Sequence, residues 1–433
     1  LRGAGIVGVR KSGFRVTKFV TGWASLNCSP AVIGRMVRIA VLSIRMRITI
    51  AGTRIRISAV AVAQIQENAE SNSWLNSPTL SKGKTHNGGE RQLVSPFSKI
   101  IMKRHGNLFE KIVDVDNIYL AYQKARKGKS WQNTISRFDD DLDENIFNIR
   151  DSLIEKTFTT SPYIEKMIYE PKQRIIYKLP FNPDRVVQHA LMNIHEPIWN
   201  SLFIYDSYSC RKGKGIHAGS RRTMDFIRAV GPNAYCLKMD IQKFYPSIDH
   251  DILFKIVQKK IKCTDTLWLL ENIIYSIPGG KNVPIGNYTS QWLGNLYMNE
   301  LDQFLKHEMK IWHYIRYCDD FILLHQDKRF LHRMAETIEN FLAERLALIL
   351  SKNDIFPVRQ GIDFLGYRHF PDHILVRKST AKRIKRRMRS LPGQLARGEI
   401  TADQYRSSMA STEGWLMWAN SFNFKQSLRL ADA

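Results

Sequence analysis

Long apolar runs are missing from this sequence. No stretch approaches the roughly 18–20 apolar residues that a membrane-spanning helix needs, so no span is expected. Cysteine is scarce as well. Cys28, Cys210, Cys236, Cys263 and Cys318 form no CxxC pair and have no histidine at zinc-ligand spacing. That excludes a zinc ribbon and a disulfide framework, and it fits free thiols in a reducing cytoplasm. Negative charge is the third deficit. Asp and Glu number 40 against 65 Lys and Arg, for a net charge of +25. Folding does not require such an excess, which points to a polyanionic partner such as nucleic acid.

What is present divides unevenly. The chain has 433 residues, 44% hydrophobic content and nine tryptophans, enough for two or three domains with real cores. Residues 1–66 hold eleven Lys or Arg and no Asp or Glu, and a polar Ser/Asn/Gly-rich stretch follows to about Ser95. The whole of 1–101 reads as disorder, as a basic RNA-binding arm, as a targeting segment, or as an ordinary folded domain. Arg45–Arg47 and Thr53–Ser58 fit neither helix nor clean strand. From about Met102 the pattern becomes that of a folded domain. Apolar spacing predicts helices in 108–127, 142–155, 186–199 and 290–309, and a basic helical segment from Arg377 broken at Pro392-Gly393. Strands are expected at 166–170, 174–178, 235–240, 313–317 and 321–324.

Chemistry concentrates in two places. Tyr317-Cys318-Asp319-Asp320 lies between two apolar β-type runs, as a tight turn between antiparallel strands would. Adjacent carboxylates repel, and a bound divalent cation relieves that cost. Alone, such a pair is most often a solvated turn. The second place is Asp240, which ends the aliphatic run Cys236–Met239 and precedes Phe244-Tyr245. Two metal ions held about 3.5–4 Å apart by carboxylates from neighbouring strands can activate a 3′-oxygen and stabilise a leaving pyrophosphate. Asp249 and Asp251 compete for this role, but Asp249 is better placed to cap a helix.

An Asp followed by Phe-Tyr, then Tyr-x-Asp-Asp about eighty residues later, resembles the palm of reverse transcriptases. The resemblance extends over roughly 102–424. Tyr169–Arg174 is similar to the fingers hairpin that grips a triphosphate, through Lys172 and Arg174. Asp184–Leu191 and Ser207–His217, the latter with Arg211, are similar to blocks of group II intron-type enzymes. Phe364-Leu365-Gly366-Tyr367 resembles the primer-grip hairpin. The fold implied is α+β, a right-hand polymerase with fingers in 102–235, palm in 236–370 and a helical thumb in 371–433. Two Mg²⁺ ions, with Mn²⁺ as a substitute, would be held by Asp240, Asp319, Asp320 and the backbone of Ile241. Ile241, Tyr245, Ile285 and Gly286 would meet the incoming nucleotide, with the Tyr245 ring excluding a 2′-hydroxyl; a plain core aromatic is the alternative for Tyr245. Gln291, Leu365, Gly366, Lys382 and Arg386 would join Arg211 along the template–primer. The basic run Arg377–Arg389 resembles a thumb helix, against a solvated charge run as the alternative, and Trp415 and Trp418 are expected in the thumb core.

Pro284–Asn295 separates the subfamilies. Most relatives of group II introns and retrons have Gln before the Gly and end the block in Ser-Pro, whereas this chain has Ile285 and Ser290-Gln291. That pattern resembles the reverse transcriptases of diversity-generating retroelements, bacterial, archaeal or phage-encoded and cytoplasmic. The resemblance implies error-prone copying of a template RNA into cDNA at adenines, with dNTPs as substrates and a small basic accessory variability determinant as partner. No stretch resembles an endonuclease, an RNase H or a zinc ribbon, so integration would fall to host factors. It also offers a further reading of 1–101. Thr53–Ser58 read one base earlier can give Asn-Thr-Asn-Thr-Asn-Ile, the kind of run a template repeat encodes, so 27–62 is expected to be upstream sequence translated out of frame. Two other readings stand: a retron or group II intron-type enzyme, against which Ile285 and Gln291 speak, and a catalytically idle RNA-binding protein, against which the intact acid set speaks.

Overall fold

The computed structural model describes residues 104–169 and 173–428 in full, together with the backbone of Met46–Ile50 and Thr53–Ile57. The rest of 1–101, with the readings attached to it, lies outside the described residues. The chain divides into two units, Leu1–Phe97 and Ser98–Ala433. In the first, strands β1 (Met46–Ile50) and β2 (Thr53–Ile57) pair antiparallel, Met46 opposite Ile57. This corrects the expectation that these runs fit no regular pattern. Both alternate apolar residues with Arg or Thr, which is the period of a strand.

The second unit begins with a helical layer: α1 (Phe109–Ile112), α2 (Val115–Arg126), α3 (Asn133–Asp140) and α4 (Leu142–Ile154). Asp114 caps α2 by accepting the Asn117 amide, which cuts the expected single helix of 108–127 in two. The stripe Ile118, Ala121, Tyr122 and Ala125 buries α2 against α5 (Val186–Leu202). Between them the hairpin β3 (Ile164–Ile168) and β4 (Arg174–Lys178) projects with mostly exposed side chains. Its tip, including Lys172, lies outside the described residues.

A five-stranded sheet follows, in the order β5-β7-β8-β6-β9. Its strands are β5 (Ser207–Tyr208), β6 (Tyr235–Ile241), β7 (Tyr314–Tyr317), β8 (Asp320–His325) and β9 (Leu350–Pro357). Only β5 and β7 run parallel. The central strands β6 and β8 are apolar on both faces because both are covered. Leu237, Met239, Phe321 and Leu323 join the main core with α10 (Tyr288–Gln303) and α11 (Lys328–Leu346). Cys236, Ile322 and Leu324 face a second core with α6 (Ile216–Val230). Between α6 and α10 the chain forms α7 (Phe244–Ser247), α8 (His250–Gln258) and α9 (Thr264–Ile274). Asp249 accepts the amides of Asp251 and Ile252 at 3.1 Å each, so it caps α8 as expected.

A small sheet of β10 (Ile362–Phe364), β11 (Tyr367–His369) and β12 (Ile374–Val376) leads into helices α12 (Lys378–Ala396) and α13 (Ala402–Leu416). The layers are those of a right-hand polymerase: fingers, palm and thumb. The expected break at Pro392-Gly393 does not occur. Proline removes one hydrogen bond, but the buried stripe Ile384, Met388 and Leu391 carries α12 past it to Ala396. Among the described residues no helix is long and apolar enough to cross a membrane, and Cys210, Cys236, Cys263 and Cys318 are free thiols.

Candidate active site

Alternation along the palm strands decides what meets what. Lys238 and Asp240 share the face of Cys236, and Asp320 shares that of Ile322. Antiparallel pairing then sets Asp240 directly opposite Asp320. Tyr317 pairs with Asp320, which leaves Cys318 and Asp319 as a two-residue turn. Cys318 adopts φ +57°, a left-handed conformation that costs energy outside glycine. The sheet thus brings together the three carboxylates expected from sequence. A register shift against β9 falls between Asp240 and Ile241, a bulge of the kind that re-aims a strand beside a site.

Each acid has a distinct setting. Ser351 Oγ, on β9, donates to Asp240 Oδ2 at 2.7 Å. Lys238 Nζ, itself buried, donates to Asp320 Oδ2 at 3.2 Å and to the Asp363 carbonyl. Burial pushes the Asp320 carboxyl up to about 6; the lysine opposes this, while Asp240 and Asp319 add to it. Asp319 is raised as well, by burial first and then by Asp240, with Arg174 drawing it back. That influence places the fingers guanidinium within electrostatic range of the palm turn. Asp320 Oδ1 is buried and accepts no hydrogen bond. An orphaned carboxylate oxygen beside two further acids fits a divalent cation, which would relieve the repulsion that lifts both groups. No cluster of three or more His, Cys, Asp or Glu is assembled as a metal cage among the described residues; Ser351 and Lys238 hold two of the acids instead.

Beneath the turn lies a feature that sequence reasoning missed. Arg316 and Asp302 are fully buried and paired, Nε to Oδ1 at 2.8 Å and Nη2 to Oδ2 at 2.6 Å. Arg316 also donates to the Cys318 carbonyl at 2.8 Å, to Asn295 Oδ1 at 3.1 Å and to Ser207 Oγ at 3.0 Å. One guanidinium therefore clamps the strained turn to α10 and β5. Lys238, Arg316 and Ser351 all went unnoticed. A lone Lys or Arg inside an apolar strand was the available signal for the first two, because burying such a charge demands a partner.

Tyr245 is positioned by Lys243, whose φ of +45° turns the chain sharply after β6. Phe244 enters the core, and the half-buried Tyr245 ring lies on α10 at Gly294, where an added Cβ would come within 3.1 Å of it. Its hydroxyl reaches Cys318 Sγ at 3.6 Å, beside the acids. Ile285 gives its carbonyl to the Tyr177 amide at 2.8 Å, docking the 284–286 loop on β4. Gly286 is required there: its φ is +127°, and a Cβ would lie 2.5 Å from the Tyr177 carbonyl oxygen. Gln291 is exposed on α10.

Three expected template–primer contacts are placed differently. Arg211 directs its guanidinium to Asn200, Ile204 and Ser207, so in this structure it braces its own loop. Leu365 is buried against α6, where a Cβ on Gly219 would be 2.7 Å from Leu365 Cδ1. Gly366, at φ +83°, lies under the Trp415 ring. Trp415 packs on Tyr367 and Trp418 stacks on His217, with centroids at 5.2 and 4.5 Å. Both tryptophans pack on β11 and α6 and not in the thumb core, since Tyr367 and His217 offer them aromatic partners there. Lys382 and Arg386 are exposed on α12 beside Lys385 and Arg389.

Residues 166–369, which include Asp240, Asp319, Asp320 and their partners Lys238, Arg316 and Ser351, match the family model for reverse transcriptase (RNA-dependent DNA polymerase). The chain carries a reverse transcriptase domain. It is 25% identical to Protein YkfC of Escherichia coli (strain K12) over 297 residues, 58% of this chain and 76% of that one. To the Group II intron-encoded protein LtrA of Lactococcus lactis subsp. cremoris it is 27% identical over 212 residues, 46% of this chain and 35% of LtrA. To the Retron Ec73 reverse transcriptase of Escherichia coli it is 25% identical over 172 residues, 36% of this chain and 48% of that one. The matched regions thus span most of YkfC but less than half of LtrA and of the retron enzyme.

Proposed function

We propose that this chain is an RNA-directed DNA polymerase that copies a template-repeat RNA into cDNA with errors directed to adenines, for diversification of a target gene. The observation that carries the polymerase is Asp240 set opposite Asp320 beside the Asp319 turn. Asp240, Asp319 and Asp320, with the Ile241 backbone, would hold two Mg²⁺ ions. Those ions would supply activation of the primer 3′-oxygen and charge stabilisation on the leaving pyrophosphate. Arg174, and Lys172 at the hairpin tip, would bind the triphosphate of a dNTP, while Lys382 and Arg386 would neutralise template–primer phosphates. Such an enzyme would act in the cytoplasm of a bacterial, archaeal or phage-infected cell, with an accessory variability determinant as partner.

Tyr245 carries the choice of sugar in this reading. Tyr245→Ala is expected to raise the rNTP/dNTP incorporation ratio on the order of 10-fold or more, since a site that excludes by shape loses its discrimination with the ring. Steady-state incorporation of each nucleotide on one template measures it, and an unchanged ratio would reduce Tyr245 to a packing residue.

Low fidelity rests on Ile285 and Gln291. A branched apolar side chain offers no hydrogen bond to the nascent pair, so geometric selection is looser. Ile285→Gln is expected to lower misincorporation at template adenines about fivefold, or ~1 kcal/mol of discrimination. Sequencing cDNA from both proteins on one RNA checks this. The similarity to LtrA and to the retron enzyme favours a second reading, an accurate intron- or retron-type polymerase. A wild-type adenine error rate no higher than that at other bases would select it.

A further inference from the structure

The end of the palm sheet farthest from the catalytic turn carries a surface that polymerisation does not use. β5 and β7 run parallel, with Ser207 opposite Arg316 and Tyr208 opposite Tyr317. The residues leading into both strands therefore lie at the end away from Cys318-Asp319. Tyr205 leads into β5 and Trp312 into β7, and both rings stand in solvent, 68% and 78% exposed. The length of β7 alone separates Trp312 from the turn by roughly 10 Å.

A polar cluster joins the two aromatics. The buried Asp206 carboxylate takes Arg222 Nε at 2.8 Å and Lys306 Nζ at 3.1 Å. The same ammonium donates to the Trp312 carbonyl at 2.5 Å, so one lysine ties both approach segments. Lys214 donates to the Tyr205 carbonyl at 2.8 Å, and its Nζ lies 3.2 Å from the centre of the Tyr205 ring. Arg222 lies 5.4 Å from that ring. Two cations thus pair with one acid, a third lies on the Tyr205 ring, and two solvent-held rings are fixed at their backbones beside them. A protein partner would call for a continuous apolar groove, but the ground between the rings is Asp206 with its cations. Rings that stack on bases next to ammonium and guanidinium groups that meet phosphates are the chemistry of a single-strand platform.

We propose that Tyr205 and Trp312, with Lys214 and Arg222, anchor single-stranded RNA outside the polymerase cleft. The proposal rests on the reading of the chain as an RNA-copying enzyme only for the identity of the polyanion. The test compares the full chain's affinity for a blunt RNA–DNA hybrid and for the same hybrid with an oligo(U) extension of about 20 nucleotides, longer than one platform's footprint. The Tyr205→Ala/Trp312→Ala double variant is expected to bind the extended hybrid about tenfold more weakly, in line with the loss of base stacking. Its affinity for the blunt hybrid and its single-nucleotide incorporation should stay unchanged, and Trp312→Phe should restore most of the loss. Lys214→Gln should reduce the salt dependence of the extended probe by about one ion. With 5-iodouridine in the extension, photocrosslinks should map to Trp312 or Tyr205. Equal loss on both probes, no loss on either, or crosslinks confined to the cleft would overturn the anchor. Failure of the wild type to incorporate nucleotides would instead count against the polymerase reading, because the binding difference between the probes does not depend on it.

Discussion

Replacing Asp319 and Asp320 together with alanine is expected to lower Mg²⁺-dependent dNTP incorporation on an RNA template by at least ~10³-fold, equivalent to ~4 kcal/mol of barrier. The size follows from the electrostatics of the site. Asp320 is half-buried and faces Asp240 across the strand pair, and its carboxyl is pushed up to about 6 by desolvation and by the two neighbouring acids, with Lys238 opposing. A site that tolerates such repulsion has a use for a cation, and without the acids nothing on the palm face would retain one. RNA affinity should change little, because exposed cations such as Lys382 and Arg386 lie on the thumb helix, not on this strand pair. Primer extension with a parallel filter-binding measurement separates the two effects. Extension at the wild-type rate by the double variant would remove these residues from the active site.

Arg316→Met is expected to destabilise the second unit by roughly 3–5 kcal/mol, because it strands a buried carboxylate without its partner. For a unit of this size that is a fall in Tm of roughly 4–7 °C. The cause is visible in the inventory of Asp302: its oxygens receive Arg316 Nε and Nη2 and the Tyr314 hydroxyl, and its side chain is fully buried. Activity should fall as well. The same guanidinium holds the Cys318 carbonyl at 2.8 Å and so keeps a left-handed turn in place under Asp319. The double change Arg316→Met/Asp302→Leu should recover much of the Tm, since an apolar pair of similar volume often replaces a buried ion pair at little cost. It should recover little of the activity, because the turn has still lost its clamp. Calorimetry on the three proteins decides the matter. A Tm within about 1 °C of wild type for Arg316→Met would show that the pair carries less than ~1 kcal/mol.

Much of the palm was legible in advance because its signals are local. The apolar run before Asp240 and those flanking Tyr317–Asp320 have the composition of covered strands, and a two-residue turn between antiparallel strands leaves few registers open. Asp249 as a cap, the fingers hairpin and the long helices follow from short-range patterns of the same kind. Most bounds shifted by a few residues, and a cap or a continuous apolar stripe overrode the average pattern at Asp114 and at Pro392. From sequence alone, then, came the acids, the strands that hold them and the excess of basic charge.

Tertiary structure decided what those residues touch. That Lys238 meets Asp320, that Ser351 meets Asp240 and that Asp302 receives Arg316 depends on contacts between residues 82, 111 and 14 positions apart. No local pattern encodes such pairings; they arise when a buried charge finds the nearest group able to satisfy it. The same holds for the contacts of Leu365 with α6, of Gly366 with Trp415 and of Arg211 with the Ile204 carbonyl. It holds for Tyr205 and Trp312 as well, 107 positions apart in sequence and drawn to one end of the sheet because β5 runs parallel to β7. Residue type and spacing determine which chemistry a chain can carry, whereas burial and strand order determine which of its charged groups are free to perform it.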